Sequence, residues 1–301
     1  MQRYDLQTGE GNLKMSQIYN RQTKTYTENS QYGGGLLNVL YNKPLGRCLL
    51  KFVIHPVFSE IGGMYHRSPL SRKKVASFVK EYNINLDDFE KKEYTSFDDF
   101  FIRRIKPGKR PVDKREDCLI APADSKLSVY PIGKENRIEI KGVSYTVSEL
   151  LGGKGELGNF QGGTCLVFRL AMDDYHRYCF VDDGRVKKRY TIKGRLHTVS
   201  SISKEHKIYR ENTRVVNLMQ TANFGNVICI EVGALLVGKI RNYKIRTFLK
   251  GQEKGYFELG GSTIVYLIKP GKVKLDEDIV ANVNEDTEIK VLIGEKIGRK
   301  I

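Results

Sequence analysis

The sequence predicts an α+β protein, with an N-terminal helical region followed by a β-rich body of mainly antiparallel or mixed sheet. Two observations predict it. Up to about residue 112, apolar side chains recur at helical spacing behind helix-start signals. From residue 118 short β-rich runs parted by glycine-containing turns take over, without the long helical periods that strand–helix–strand units need. The boundaries follow: an N-terminal extension over 1–33, partly disordered, a helical region over 34–112 and a β-rich domain over 113–301.

In the helical region, Ser68-Pro69 reads as an N-cap with proline at the first helical position. Val75, Phe78, Val79 and Tyr82 then follow the i, i+3, i+4, i+7 spacing of a buried face. Ser96, with Asp99 three residues on, opens a second helix ahead of Phe100 and Phe101. The breakers of Lys106-Pro107-Gly108-Lys109-Arg110-Pro111 end the region. Strands are expected at residues 126–130, 137–140, 164–170, 227–232, 263–268 and 288–293.

With 40% hydrophobic and 29% charged residues the chain is globular rather than disordered. Its net charge of +16 points to nucleic acid, an anionic membrane surface or acidic substrates. Nucleic-acid modules cluster aromatics among their basic residues or show a recognisable motif. Neither is found here, so no nucleic-acid partner is expected and an anionic phospholipid membrane is the better match. One stretch suits that surface. Between Pro44 and Pro56, Arg47, Lys51 and His55 recur at i, i+4 with Lys43 just before, and Leu45, Cys48, Leu49, Phe52 and Val53 fall on another face. The same pattern fits a surface helix that packs its apolar face on the body. No run is long and apolar enough to span a bilayer, and the first 30 residues lack the apolar core of a secretory signal. Five scattered cysteines without a Cys-x-x-Cys pair argue for a reducing compartment, and no metal site is suggested.

Three segments could carry chemistry. Gly260-Gly261-Ser262-Thr263 precedes the apolar run Ile264-Val265-Tyr266-Leu267-Ile268. Taken alone it is a turn before a strand; glycines also let a backbone carbonyl be approached closely, and a serine behind them can attack it once a base takes its proton. Asp174-Tyr175-His176-Arg177 supplies an imidazole, structural in most settings and the side chain best suited to proton transfer near neutrality. Ala121-Pro122-Ala123-Asp124-Ser125 reads as an Asx-type turn, and its carboxylate could orient an imidazole.

Together these segments resemble the phosphatidylserine decarboxylase family, pyruvoyl-dependent proenzymes that cut themselves. Residues from about 34 onward fit, including Phe97-Asp98-Asp99-Phe100-Phe101-Ile102-Arg103-Arg104, Lys109-Arg110-Pro111, Glu231-Val232-Gly233-Ala234 and Gly294-Glu295-Lys296-Ile297-Gly298. The resemblance implies cleavage between Gly261 and Ser262, giving chains 1–261 and 262–301, with Ser262 becoming a covalent pyruvoyl cofactor. It implies a Schiff base with phosphatidylserine, release of CO2 and formation of phosphatidylethanolamine. His176 matches the family histidine for substrate positioning or protonation, and Asp124 the aspartate that orients the maturation base. The implied setting is the cytoplasmic face of a bacterial membrane, where the two cleaved chains form a heterodimer and often a homodimer of these.

The sequence departs from the family at that base. A second histidine usually follows the first by three residues, and here Cys179 stands there. A neutral thiol is a poor base. The candidate replacements are Cys179 itself, as a thiolate of lowered pKa, and His197, which occupies a place where the family more often has an aromatic residue and would complete an Asp124–His197–Ser262 relay. The alternative is an uncleaved, decarboxylase-like lipid-binding protein without catalysis.

Overall fold

The β-branched and aromatic runs pair into one mixed ten-stranded sheet in the computed structural model, which describes residues 17–28, 39–40, 43, 46, 56–90, 93–153, 159–197, 208–234, 239–260, 262–284 and 286–301. Across the sheet the order is Thr247–Phe248, Gly184–Ile192, Arg214–Thr221, Gly225–Gly233, Ser262–Ile268, Thr164–Leu170, Ser125–Pro131, Thr287–Val291, Gln17–Asn20 and Thr25–Glu28. Neighbours run antiparallel except Gln17–Asn20, which pairs in parallel with Thr287–Val291. The architecture is α+β, as the sequence predicts.

Five of the six expected strands sit in this sheet, each within two residues of its predicted ends. The sixth, Arg137–Ile140, pairs with Val143–Thr146 in a separate hairpin. Ser262–Ile268 is buried along its whole length, which is why its sequence is a continuous apolar run rather than an alternating one. Two three-stranded sheets flank the large one. One joins Ile240–Asn242, Glu253–Phe257 and Arg177–Cys179; the other joins Val273–Leu275, Lys296–Lys300 and Cys118–Ile120.

The helical region packs on the body through aromatics. Pro69–Lys73 is a 3-10 turn leading into the helix Lys74–Glu81, and the Ser68 hydroxyl donates back to the Tyr65 carbonyl instead of capping. Ser96 does cap: its Oγ accepts from the Asp99 N–H at 3.1 Å, opening the helix Phe97–Phe101. Phe78, Phe97, Phe100 and Phe101 form a buried cluster with Leu259, which lies just before the expected cut.

Two sequence expectations meet the structure differently. Residues 17–28, read as part of an extension, form a hairpin that lengthens the main sheet. Arg21 at its turn bonds the carboxylates of Asp276, Asp278 and Glu295, a long-range anchor that local pattern does not reveal. The basic stripe Arg47, Lys51 and His55, with its apolar face Leu45, Cys48, Leu49, Phe52 and Val53, lies outside the described residues. Among the described residues no helix is long and apolar enough to cross a membrane.

Candidate active site

Ser262 opens the central strand, in register with Gly233 on one side and Leu170 on the other. Its side chain is fully buried. The turn before it needs glycine at Gly260, whose φ of 131° lies in a region that side chains with a Cβ avoid. Gly261 itself lies outside the described residues. The segment before it is gripped by the helical region, where the Leu259 N–H donates to Asp98 Oδ1 at 3.4 Å and Glu258 pairs with Arg67, and by Arg241 of a flanking strand, which also pairs with Glu258.

His176 meets Ser262. Leu170 ends a strand beside Ser262, the chain turns through Ala171–Tyr175, and His176 returns next to the start of Arg177–Cys179. Nδ1 of the imidazole lies 3.4 Å from Ser262 Oγ. Nε2 lies 2.9 Å from the Ala171 carbonyl oxygen, which can only accept, so Nε2 carries the ring proton. Nδ1 is therefore the lone-pair nitrogen, and the serine hydroxyl donates to it. The Phe101 ring packs on the imidazole at 4.1 Å between centroids. Burial, with Arg103 and Lys126 as neighbouring cations, pulls the His176 pKa down to about 3 and keeps the ring neutral.

A buried ion pair holds the turn that holds the ring. Lys126 Nζ bonds both oxygens of Asp174 at 2.8 and 2.7 Å, and Asp174 Oδ2 accepts from the Ala171 N–H at 2.7 Å. Arg177 ties the same segment to the helical region through the carbonyls of Ile102 and Arg103, and to Glu253 at 2.7 Å. These partners escaped the sequence reading. The available signal was Lys126, a charge two residues past Asp124 inside an apolar strand, which demands a partner when buried.

The other sequence candidates face elsewhere. Asp124 accepts from the Ile293 N–H at 2.8 Å and takes Arg110 along its edge, Nη2 at 3.0 Å. Cys179 Sγ lies 3.9 Å from the Ala121 carbonyl, and burial pushes its thiol up to about 12. The backbone N–H of Cys179 donates to the Pro122 carbonyl at 2.9 Å, binding it to the Asp124 turn. The His197 imidazole, fully buried, has Nε2 3.5 Å from Glu211 Oε2, and its backbone is clasped by Asn212. Asn212 also donates to the Gly233 carbonyl, so the His197 segment borders the strand beside Ser262. Among the described residues no cluster of His, Cys, Asp or Glu is placed to hold a metal ion.

A buried serine behind a glycine turn, with the lone pair of a neutral imidazole on its hydroxyl, is a site for nucleophilic chemistry. Residues 97–299 match the family model described as Phosphatidylserine decarboxylase. Over 283 residues the chain is 52% identical to phosphatidylserine decarboxylase proenzyme 2 of Clostridium acetobutylicum, covering 93% of this chain and 97% of that one. The proenzymes of Ruminiclostridium cellulolyticum and Clostridium botulinum are 40% and 38% identical, covering 95% of this chain and 98% and 100% of theirs. The chain belongs to the phosphatidylserine decarboxylase family and is an enzyme of the decarboxylase class.

Proposed function

We propose that the chain is made as a precursor, cuts itself between Gly261 and Ser262, and decarboxylates phosphatidylserine to phosphatidylethanolamine and CO2. The observation that carries the reading is the 3.4 Å approach of the Ser262 hydroxyl to the neutral imidazole of His176, inside a chain of this family. The residues fit a pyruvoyl group, which is made from the chain itself. Ser262 is the required side chain, and the hydroxyl of its neighbour Thr263 is fully buried with no hydrogen-bond partner among the described residues. When formed, that group supplies a carbonyl electron sink for the pair left by CO2.

The residues around it bind, orient and exclude water. Phe101 covers His176 with apolar surface and is backed by the buried cluster of Phe78, Phe97, Phe100 and Leu259, so charge on a substrate carboxylate is poorly solvated against it. His176 stands at the reacting position, able to hold or give a proton. Asp124 latches the turn preceding Ser125–Pro131 to the C-terminal segment. Chains 1–261 and 262–301 remain joined after the cut, because Ser262–Ile268 lies between two strands of the larger chain. The net charge of +16 supports docking on anionic phospholipid at the cytoplasmic membrane face.

The test is release of CO2 from carboxyl-labelled phosphatidylserine in vesicles. Release by the parent chain, abolished by a carbonyl reagent and by Ser262→Ala, is expected. Lipid binding without release by the parent would leave an uncleaved lipid-binding protein instead.

A further inference from the structure

We propose that His176, through Nδ1, is the base that takes the Ser262 hydroxyl proton in self-cleavage, the work of the histidine that Cys179 replaces. The inference rests on the self-cleavage reading above and names the group that drives it.

The structure sorts three candidates by what each faces. His176 is on the Ser262 hydroxyl and Cys179 is on the Ala121 carbonyl, while His197 Nε2 lies 3.5 Å from Glu211 Oε2. The tautomer suits the task, because the Ala171 carbonyl fixes the ring proton on Nε2 and leaves Nδ1 open to the serine. The ring is held on both sides, by the Phe101 face and by Ala171, itself clamped by Asp174 and Lys126. The charged groups facing the ring are Arg103 from the end of the helical region, Lys126 from its strand, and Asp173 from the turn. Burial and the two cations lower its pKa to about 3 and favour the neutral ring. The family's aspartate is not needed for orientation in this arrangement, since Asp124 is engaged by Arg110 and the Ile293 N–H.

The step balances. The Oγ–H bond breaks and its proton goes to Nδ1, while the Oγ electron pair forms a bond to the Gly261 carbonyl carbon. As the Gly261–Ser262 C–N bond breaks, its electron pair takes the proton back from Nδ1. The amide has become an ester and a free amine, and His176 is neutral again. His176 is the catalytic residue of this step; Asp174 and Lys126 are positioning residues.

The experiment is cell-free synthesis of the full chain, followed by intact mass under denaturing conditions, with hydroxylamine added to cleave the ester and read the first step alone. His176→Asn is expected to slow the loss of full-length chain at least about 100-fold, while Cys179→Ala and His197→Gln stay within about threefold of the parent. Shifting the parent chain from pH 5.5 to 8 is expected to leave its rate constant unchanged within about twofold, because the base is neutral throughout. This profile separates a neutral base from a thiolate even if a variant misfolds. A rate rising about tenfold per pH unit, as a thiolate base gives, overturns the proposal, as does a fall through pH 6 or a His176→Asn chain cut at the parent rate. A parent chain that stays whole overturns the self-cleavage reading along with it. A cut parent that fails the other checks overturns the base assignment alone.

Discussion

Two regions carry the family's signature residues, and the structure treats them differently. At Ser262 the two facing groups are buried and neutral, a hydroxyl on an imidazole lone pair roofed by Phe101, with the Lys126–Asp174 ion pair set behind the ring. Around Asp124 the groups are charged and mutually satisfied, with Arg110 and the Ile293 N–H on one carboxylate and Asp88 on the same arginine. A paired carboxylate has spent its acceptors on holding chain segments together, whereas a lone pair on a buried neutral ring is available to a proton. On the proposed function the first region reacts, and the contacts of the second hold chain segments together.

The largest expected effect removes the reacting atom. Ser262→Ala should leave the chain whole and abolish decarboxylation, measured as a single intact mass and no labelled CO2. The contrast next sharpens in acid. His176 has its pKa lowered on folding, so the unfolded chain binds the proton more tightly, and stability is full above pH 6.5 and falls as pH drops toward 3. The uncut Ser262→Ala precursor should lose about 2 kcal/mol between pH 7 and 5 from this ring alone. His66, whose pKa burial lowers to about 4, acts in the same direction. The His176 share is therefore the slope that vanishes when His176→Asn is added, read from urea midpoints at the two pH values.

A smaller effect is expected at the holding region. Asp124→Asn keeps an acceptor for Ile293 but loses the charge facing Arg110. It should cost about 1–2 kcal/mol of stability, read from the urea midpoint of the precursor. Cleavage should slow less than tenfold, against the ~100-fold expected at His176. If Asp124→Asn instead stops cleavage in a folded chain, the division between reacting and holding regions breaks. The smallest effect is Cys179→Ala, a small core truncation that should cost about 1 kcal/mol and leave the extent of cleavage unchanged by intact mass.

The sequence made Ser262, His176 and Asp124 visible because each sits in a short segment whose glycine, histidine or aspartate has a chemical reason to be there. It also made the buried strands visible, since Thr164–Leu170 and Ser262–Ile268 bury both faces and read as apolar runs. Gly184–Ile192 stayed hidden. It lies one strand from the sheet edge, half exposed, with Lys187, Lys188 and Arg189 in succession, so no apolar alternation marks it. The hairpin at residues 17–28 was hidden for another reason: its anchor joins Arg21 to carboxylates more than 250 residues away. The pairing behind His176 joins Lys126 of one strand to Asp174 in the turn after its neighbour, which only the fold brings together. Local chemistry was legible, and long-range pairing was not.

Self-cleavage as proposed would turn Ser262 into the blocked end of a new chain. Intact mass of the purified protein under denaturing conditions tests it most directly. Two chains are expected, residues 1–261 and residues 262–301, the smaller with a pyruvoyl mass in place of serine and no free amino terminus. A single chain of full length, from a folded preparation, would contradict it.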